Sequence, residues 1–329
     1  MGDINHIKIV NYRTVSGELF PEIDLSYEIF GTAENMEDNA VLVCHALTGN
    51  SHAAGPGGWW ADYIGEAKGI DLRRYTVIAF NIPGNGYGLN PQIFENYKAF
   101  TSRDIAILFW MGAQEIGIKH LYAIIGGSLG GVVAWEMAIE YPDFADLVVP
   151  IGSDYKITDW ILAHNKVQEQ ILEHSSCPLH TARMMAMMFY RTPQSFKAKF
   201  NRSWNYEDNM YNAESYLMYQ GDKLVKRFHL ESYKLMNHLL TSHNIAYKRG
   251  GEIEALKRIK SRVITIGIDT DIFFVAEENR AAVPFLRSLG LSVEYREICS
   301  PHGHDAFLVE FNQLSNLTSD IFLRKKVTR

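Results

Sequence analysis

Ser128 stands in the run Ile124-Ile125-Gly126-Gly127-Ser128-Leu129-Gly130-Gly131, where Gly126, Ser128 and Gly130 form a G-x-S-x-G pattern. An apolar stretch precedes it and a helix-period stretch follows, the context of a strand that turns abruptly into a helix. Such a turn forces its middle residue into a strained backbone conformation. Side chains two positions to either side would collide with the turn, so glycine is needed there. The serine hydroxyl then projects at a helix N-terminus, whose partial positive charge favours an oxyanion nearby. That is the placement of a nucleophile. The plain alternative is a glycine-rich turn that packs a helix on a sheet. A phosphate loop fits worse, because no Lys-Ser or Lys-Thr pair follows the glycines and the spacing does not supply G-x-G-x-x-G.

A serine hydroxyl attacks poorly unless a base takes its proton. For a strand-turn-helix serine the acid and then the histidine follow along the chain. The late segment Ser300-Pro301-His302-Gly303-His304-Asp305-Ala306-Phe307 offers two histidines. His304, directly before the final helical pattern, is the preferred base. His302-x-His304 also has the spacing of a metal pair, but no third ligand is evident. Segment 263–268 runs into Asp269-Thr270-Asp271. Either carboxylate is placed to orient the imidazole and stabilise its charged form, and spacing alone does not choose. Both also read as ordinary turn or cap carboxylates. The main-chain N–H groups of Leu129 and of Leu47, in the His45-Ala46-Leu47-Thr48-Gly49 loop, are the expected oxyanion donors.

These residues must be held by a scaffold, and the pattern around them supplies one. Short apolar, β-branched runs at 40–44, 75–81, 121–125, 147–151, 262–268 and 292–298 alternate with helical patterns at 102–117, 129–141, 276–289 and 304–323. The alternation predicts an α/β fold with a largely parallel central sheet and helices on its faces. Segments 7–15 and 23–30 read as an antiparallel edge. The middle of the chain shows no strand pattern. Helix-period stretches at 158–173, 181–190 and 228–243 dominate it, with a Met-rich run at 184–189 that reads mostly as packing. The expected organisation is an α/β-hydrolase core over 1–153 and 251–329, interrupted by a helical lid over 154–250.

The totals agree with a globular enzyme. The chain has 329 residues, 47% of them hydrophobic and 21% charged, enough for a core that needs no staples. Its formal net charge of -6 argues against a nucleic-acid binder. The cluster Arg324-Lys325-Lys326 reads as a solvated tail. Cys44, Cys177 and Cys299 form no paired pattern, which fits a reducing compartment. The first residues lack the basic and apolar regions of a secretory signal, and no apolar run approaches the ~18 residues of a membrane span. A cytoplasmic protein with no membrane or nucleic-acid partner is expected.

Five stretches together resemble the homoserine O-acetyltransferases, a branch of the α/β-hydrolase fold. They are His45-Ala46-Leu47-Thr48-Gly49-Asn50, Gly58-Trp59-Trp60, the glycine-rich run 126–131, Arg227-Phe228 with Ser232-Tyr233, and Gly303-His304-Asp305-Ala306-Phe307-Leu308. The resemblance implies acetyl transfer from acetyl-CoA to the hydroxyl of L-homoserine, in methionine biosynthesis, with no permanently bound cofactor. It implies a triad of Ser128, Asp271 and His304, with Asp269 in support. It also implies that Arg183 holds the acceptor's carboxylate, with Tyr190 in the same pocket and Asp305 on the ammonium. A homodimer through the lid helices is implied in the same way. The chain departs from the family pattern in having Leu129 after the nucleophile, where Met is usual, and in its 81–91 segment. The rival expectations are an esterase that passes the acyl group to water, a succinyl-CoA or serine substrate, and a non-catalytic binder.

Overall fold

The computed structural model describes residues 4–32 and 36–322. The tail cluster at 324–326 therefore lies outside the described residues. Eight strands form one sheet: β1 (Asn5–Arg13), β2 (Leu19–Phe30), β3 (Ala40–Cys44), β4 (Thr76–Phe80), β5 (Leu121–Gly127), β6 (Ala145–Ile151), β7 (Arg262–Ile268) and β8 (Val293–Ile298). Their spatial order is β1-β2-β4-β3-β5-β6-β7-β8. The β1–β2 and β2–β4 pairs are antiparallel, and every pair from β4 to β8 is parallel. The antiparallel edge and parallel centre both follow the sequence expectation.

The central strands are apolar on both faces because helices cover both. All five residues of β3 are buried. Val41 and Val43 point into one apolar layer with Trp60 and Phe307, while Leu42 and Cys44 point into the other. On that second face lie α1 (Ser102–Glu115), started by a capping box from Thr101 and Asp104, and α2 (Leu129–Glu140), which begins directly after β5. Glu136 near the far end of α2 is 1% exposed. Burial alone would raise its pKa, but His243 and Arg249 outweigh that and hold it at about 2.

Between β6 and β7 the chain is mostly helical: α3 (Asp159–His174), α4 (Pro178–Tyr190), α5 (Pro193–Phe200), α6 (Asn212–Val225), α7 (Leu230–Thr241) and α8 (Glu252–Leu256). A two-residue ladder pairs Met210 with Asn205 and Tyr211 with Trp204. The residue pattern carries no sign of it, since two residues cannot show a period. After β7 come α9 (Ala276–Ser288) and, beyond β8, a 3₁₀ turn (Gly303–Leu308), α10 (Phe311–Leu317) and α11 (Ser319–Phe322). The single helix expected from 304 is thus broken into a tight turn and two short helices. The break lets the 3₁₀ turn face the sheet edge while α10 packs behind it.

Candidate active site

The turn between β5 and α2 places Ser128 at φ 55° and ψ -122°, a region that side-chain-bearing residues rarely enter. Its N–H donates to the carbonyl of Ile151 at the end of β6, 2.9 Å away. The flanking glycines have no room to spare. A methyl group on Gly126 would sit 2.5 Å from the backbone of Gly130, and one on Gly130 would strike the carbonyl of Cys44. The first turn of α2 therefore rests directly on the end of β3, beside the loop that carries Leu47.

The imidazole expected to act as base comes from the other side of the same edge. His304 is 3% exposed, and its Nδ1 lies 2.6 Å from Asp271 Oδ2. A carboxylate only accepts, so Nδ1 carries the proton and Nε2 the lone pair. Nε2 is buried and has no hydrogen-bond partner. The rings of Phe273, Phe274, Phe307 and Tyr190 surround the imidazole at centroid distances of 5.1, 5.7, 5.7 and 5.5 Å. No hydrogen bond joins His304 Nε2 to Ser128; two contacts, one by His304 and one by its neighbour Phe307, bring the histidine segment to the serine turn. A methyl on Gly152, next to Ile151, would lie 3.5 Å from His304 Nδ1, and the Phe307 ring packs onto Gly127.

The two aspartates take different positions. Asp271 is 3% exposed, and its Oδ1 accepts from the N–H groups of Phe273 at 2.7 Å and Phe274 at 3.0 Å. Asp269 is exposed and accepts instead from the N–H of Ser300, at 2.9 Å, at the root of the histidine loop. His302 turns away from both, with its Nδ1 at 3.3 Å from Arg191 Nη1 and 3.2 Å from Ser195 Oγ. Leu47 and Leu129 are both buried, and neither N–H donates to a backbone carbonyl in the turns around them. The tryptophan pair ties the parts together: Trp59 Nε1–H donates to Asn50 O at 2.9 Å and Trp60 Nε1–H to Phe307 O at 3.0 Å.

Of the three residues named for the acceptor, Arg183 and Tyr190 meet, with the guanidinium 5.8 Å from the ring centroid. They are seven positions apart on α4 and so share a face. Burial pushes the Tyr190 phenol well above the usual range, so it is neutral. Asp305 is engaged by a residue that the sequence reading left without a role: Arg191 Nε lies 2.9 Å from Asp305 Oδ2, a close ion pair out of hydrogen-bond alignment. The signal for Arg191 lies in the next two residues. Thr192 followed by Pro193 is a helix N-cap and first-turn proline, which ends α4 at Tyr190 and leaves Arg191 in the joint. Arg227 Nη1–H donates to Thr48 O at 2.9 Å, tying the helical segment to the Leu47 loop.

The family model for the alpha/beta hydrolase fold matches residues 39–309. A homoserine O-acetyltransferase of Symbiobacterium thermophilum is 36% identical over 335 residues, covering 90% of this chain and 88% of its own. The chain belongs to the homoserine O-acetyltransferase family. It is accordingly an enzyme of the α/β-hydrolase fold. Among solved structures, a homoserine O-acetyltransferase from Bacillus anthracis superposes with TM-score 0.86 at 20% identity, covering 98% of each chain. Esterase E22 superposes equally well, with TM-score 0.86 at 18% identity over 97% of this chain and 99% of its own. The shared architecture thus fixes the fold and leaves the acyl acceptor to the site's own residues.

Proposed function

We propose that this enzyme moves an acetyl group from acetyl-CoA to the hydroxyl of L-homoserine by a ping-pong reaction at Ser128, a step of methionine biosynthesis. The observation that carries the choice of acceptor is the Arg191–Asp305 pair beside His304. A cation and an anion held side by side match the carboxylate and ammonium of an amino acid, whereas water needs neither. Arg183 takes the carboxylate with Tyr190 in the same pocket, and Arg191 joins them from beside Asp305. Asp305 takes the ammonium on its second oxygen. The relatives' name supports the same acceptor.

In the first half-reaction Ser128 Oγ attacks the thioester carbonyl and its proton passes to His304 Nε2. The Leu47 and Leu129 N–H groups hold the oxyanion. Collapse expels CoA, whose sulfur receives the proton from His304, and leaves acetyl-Ser128. In the second, the homoserine hydroxyl gives its proton to His304 Nε2 and attacks the acetyl carbonyl. Collapse releases O-acetylhomoserine, and the proton returns to Ser128. Asp271 keeps His304 in the required tautomer. Residues 154–250 act as a helical lid, and with the aromatic rings around His304 they limit water at the acyl-enzyme. Two copies pair through these helices, a reading supported by exposed Trp160, Met188, Met218 and Tyr219. The reaction is placed in the cytoplasm, as for a biosynthetic enzyme of small molecules; among the described residues no helix is long and apolar enough to cross a membrane.

The test supplies acetyl-CoA or succinyl-CoA with homoserine, serine or no acceptor and identifies the product by mass. O-acetylhomoserine is expected, with slow CoA release when homoserine is withheld. Fast release without an acceptor would make the enzyme an esterase. Arg191→Ala should raise the homoserine KM roughly 10- to 100-fold, the loss of a charge-assisted contact, while the rate of acetyl loading stays nearly unchanged. Equal loss in both half-reactions would remove Arg191 from the acceptor site.

A further inference from the structure

A main-chain donor serves an oxyanion only if its peptide plane is held in the right rotation, and the side chain of Leu47 does not hold it. The Ala46 carbonyl and the Leu47 N–H belong to one planar, trans peptide unit, so they point in opposite directions. That carbonyl is gripped twice, by the N–H of Gly49 at 2.8 Å and by His45 Nδ1 at 2.8 Å. The tautomer of His45 follows from its neighbours. The Ile82 N–H points at Nε2 from 3.0 Å and can only donate, so Nε2 carries the lone pair and Nδ1 the proton. The ring is 1% exposed, and burial pushes its pKa down to about 4.

His45 is therefore a neutral wedge between the loops that leave β3 and β4. The β4 side is itself braced. Asn81 Oδ1 accepts from the N–H of Ser51 at 2.8 Å and from Asn85 Nδ2 at 3.0 Å. Ser51 Oγ donates to the buried Glu28 at 2.7 Å. On the other side Gly130 abuts the carbonyl of Cys44, the residue just before His45. The loop bearing Leu47 and the turn bearing Leu129 thus share one support.

We propose that His45 is a positioning residue for the oxyanion hole: its Nδ1–H fixes the Ala46–Leu47 peptide so that the Leu47 N–H faces the carbonyl attacked by Ser128. It exchanges no proton with the substrate. Without that grip the peptide is free to turn, and a turned peptide presents a carbonyl oxygen to the developing negative charge. The inference rests on the proposed roles of Ser128 and Leu47.

Two substitutions separate the two ring nitrogens. The amide nitrogen of Asn falls near the position of Nδ1, so His45→Asn keeps a donor for Ala46. The longer Gln reaches the position of Nε2, so His45→Gln keeps an acceptor for Ile82 and loses the donor. The readouts are the rate of acetyl-enzyme formation, the acetyl-CoA KM, the melting temperature, and inhibition by a boronic acid that forms a tetrahedral adduct on serine. His45→Gln is expected to slow acetylation ~10²–10³-fold and to weaken the boronic acid by a similar factor, with little change in KM. His45→Asn should restore most of both. Equal losses in the two variants, or slow acetylation with full boronic acid affinity, overturn the proposal. If the Gln variant does not fold, the Asn variant decides: acetylation within about tenfold of the wild type supports the proposal, and a larger loss overturns it. If Ser128 is not the nucleophile, either the unaltered enzyme forms no acetyl-enzyme or Ser128→Ala still forms it, and either failure is seen before any His45 variant is made.

Discussion

Ser128→Ala should abolish acetyl-enzyme formation and lower turnover by ~10⁶-fold, leaving only what binding and the oxyanion donors supply. The hydroxyl is the sole atom removed that the proposed chemistry needs, and the fold has no use for it elsewhere: its backbone N–H, not its side chain, holds the turn to Ile151. Alanine does inherit the strained φ of 55°. That strain is already borne by a residue with a Cβ, so the melting temperature should move little. The check is intact-protein mass after exposure to acetyl-CoA, beside a thermal scan. An acetyl adduct that survives in the variant would place the nucleophile elsewhere.

Asp271→Asn should cost ~10⁴-fold in acetylation rate while the fold stays intact. The argument is geometric. Two backbone N–H groups, from Phe273 and Phe274, point at Asp271 Oδ1 and require an acceptor there. An asparagine satisfies them only by placing its oxygen at that position, which directs its NH₂ at His304. The imidazole must then accept at Nδ1 and carry its proton on Nε2, the tautomer that cannot take a proton from Ser128. Asp269→Asn provides the contrast. It keeps an acceptor for the Ser300 N–H, so the loss should stay under about tenfold. Comparable losses at the two positions would mean that the carboxylate beside His304 acts only through loop packing. Stopped-flow acetylation with each variant, with circular dichroism to confirm folding, separates these outcomes.

Much of the scaffold could be read from the chain because its signals are local. The fully buried β3 is a continuous apolar run, β7 is buried from Val263 onward, and the observed strands end where the sequence expectation ends them. The turn at Ser128 was legible because three residue types at fixed offsets are all dictated by one tight bend. The choice between Asp269 and Asp271 was not legible in the spacing and rested on the family resemblance alone. Two residues apart after a strand, both read as turn carboxylates, and the three-dimensional path shows one reaching the imidazole and the other the Ser300 N–H. Arg191 escaped for a related reason. Its pairing with Asp305 spans most of the second half of the chain, and no periodicity records such a contact. The role inferred for His45 depends on which nitrogen carries a proton, and this is set by Ile82, far off in sequence.

The joint between α4 and α5 constrains how reactants reach the serine. Thr192 Oγ1–H donates to Pro301 O at 2.5 Å, and a methyl on Gly303 would lie 3.2 Å from the carbonyl of Tyr190. This end of the helical cover is fastened to the segment that bears the imidazole. An outward swing of this joint would pull His304 away from Asp271 and break the hydrogen bond that fixes its tautomer. In the proposed reaction, the thioester and its spent thiol therefore pass at a rim away from this joint, which stays closed over the imidazole.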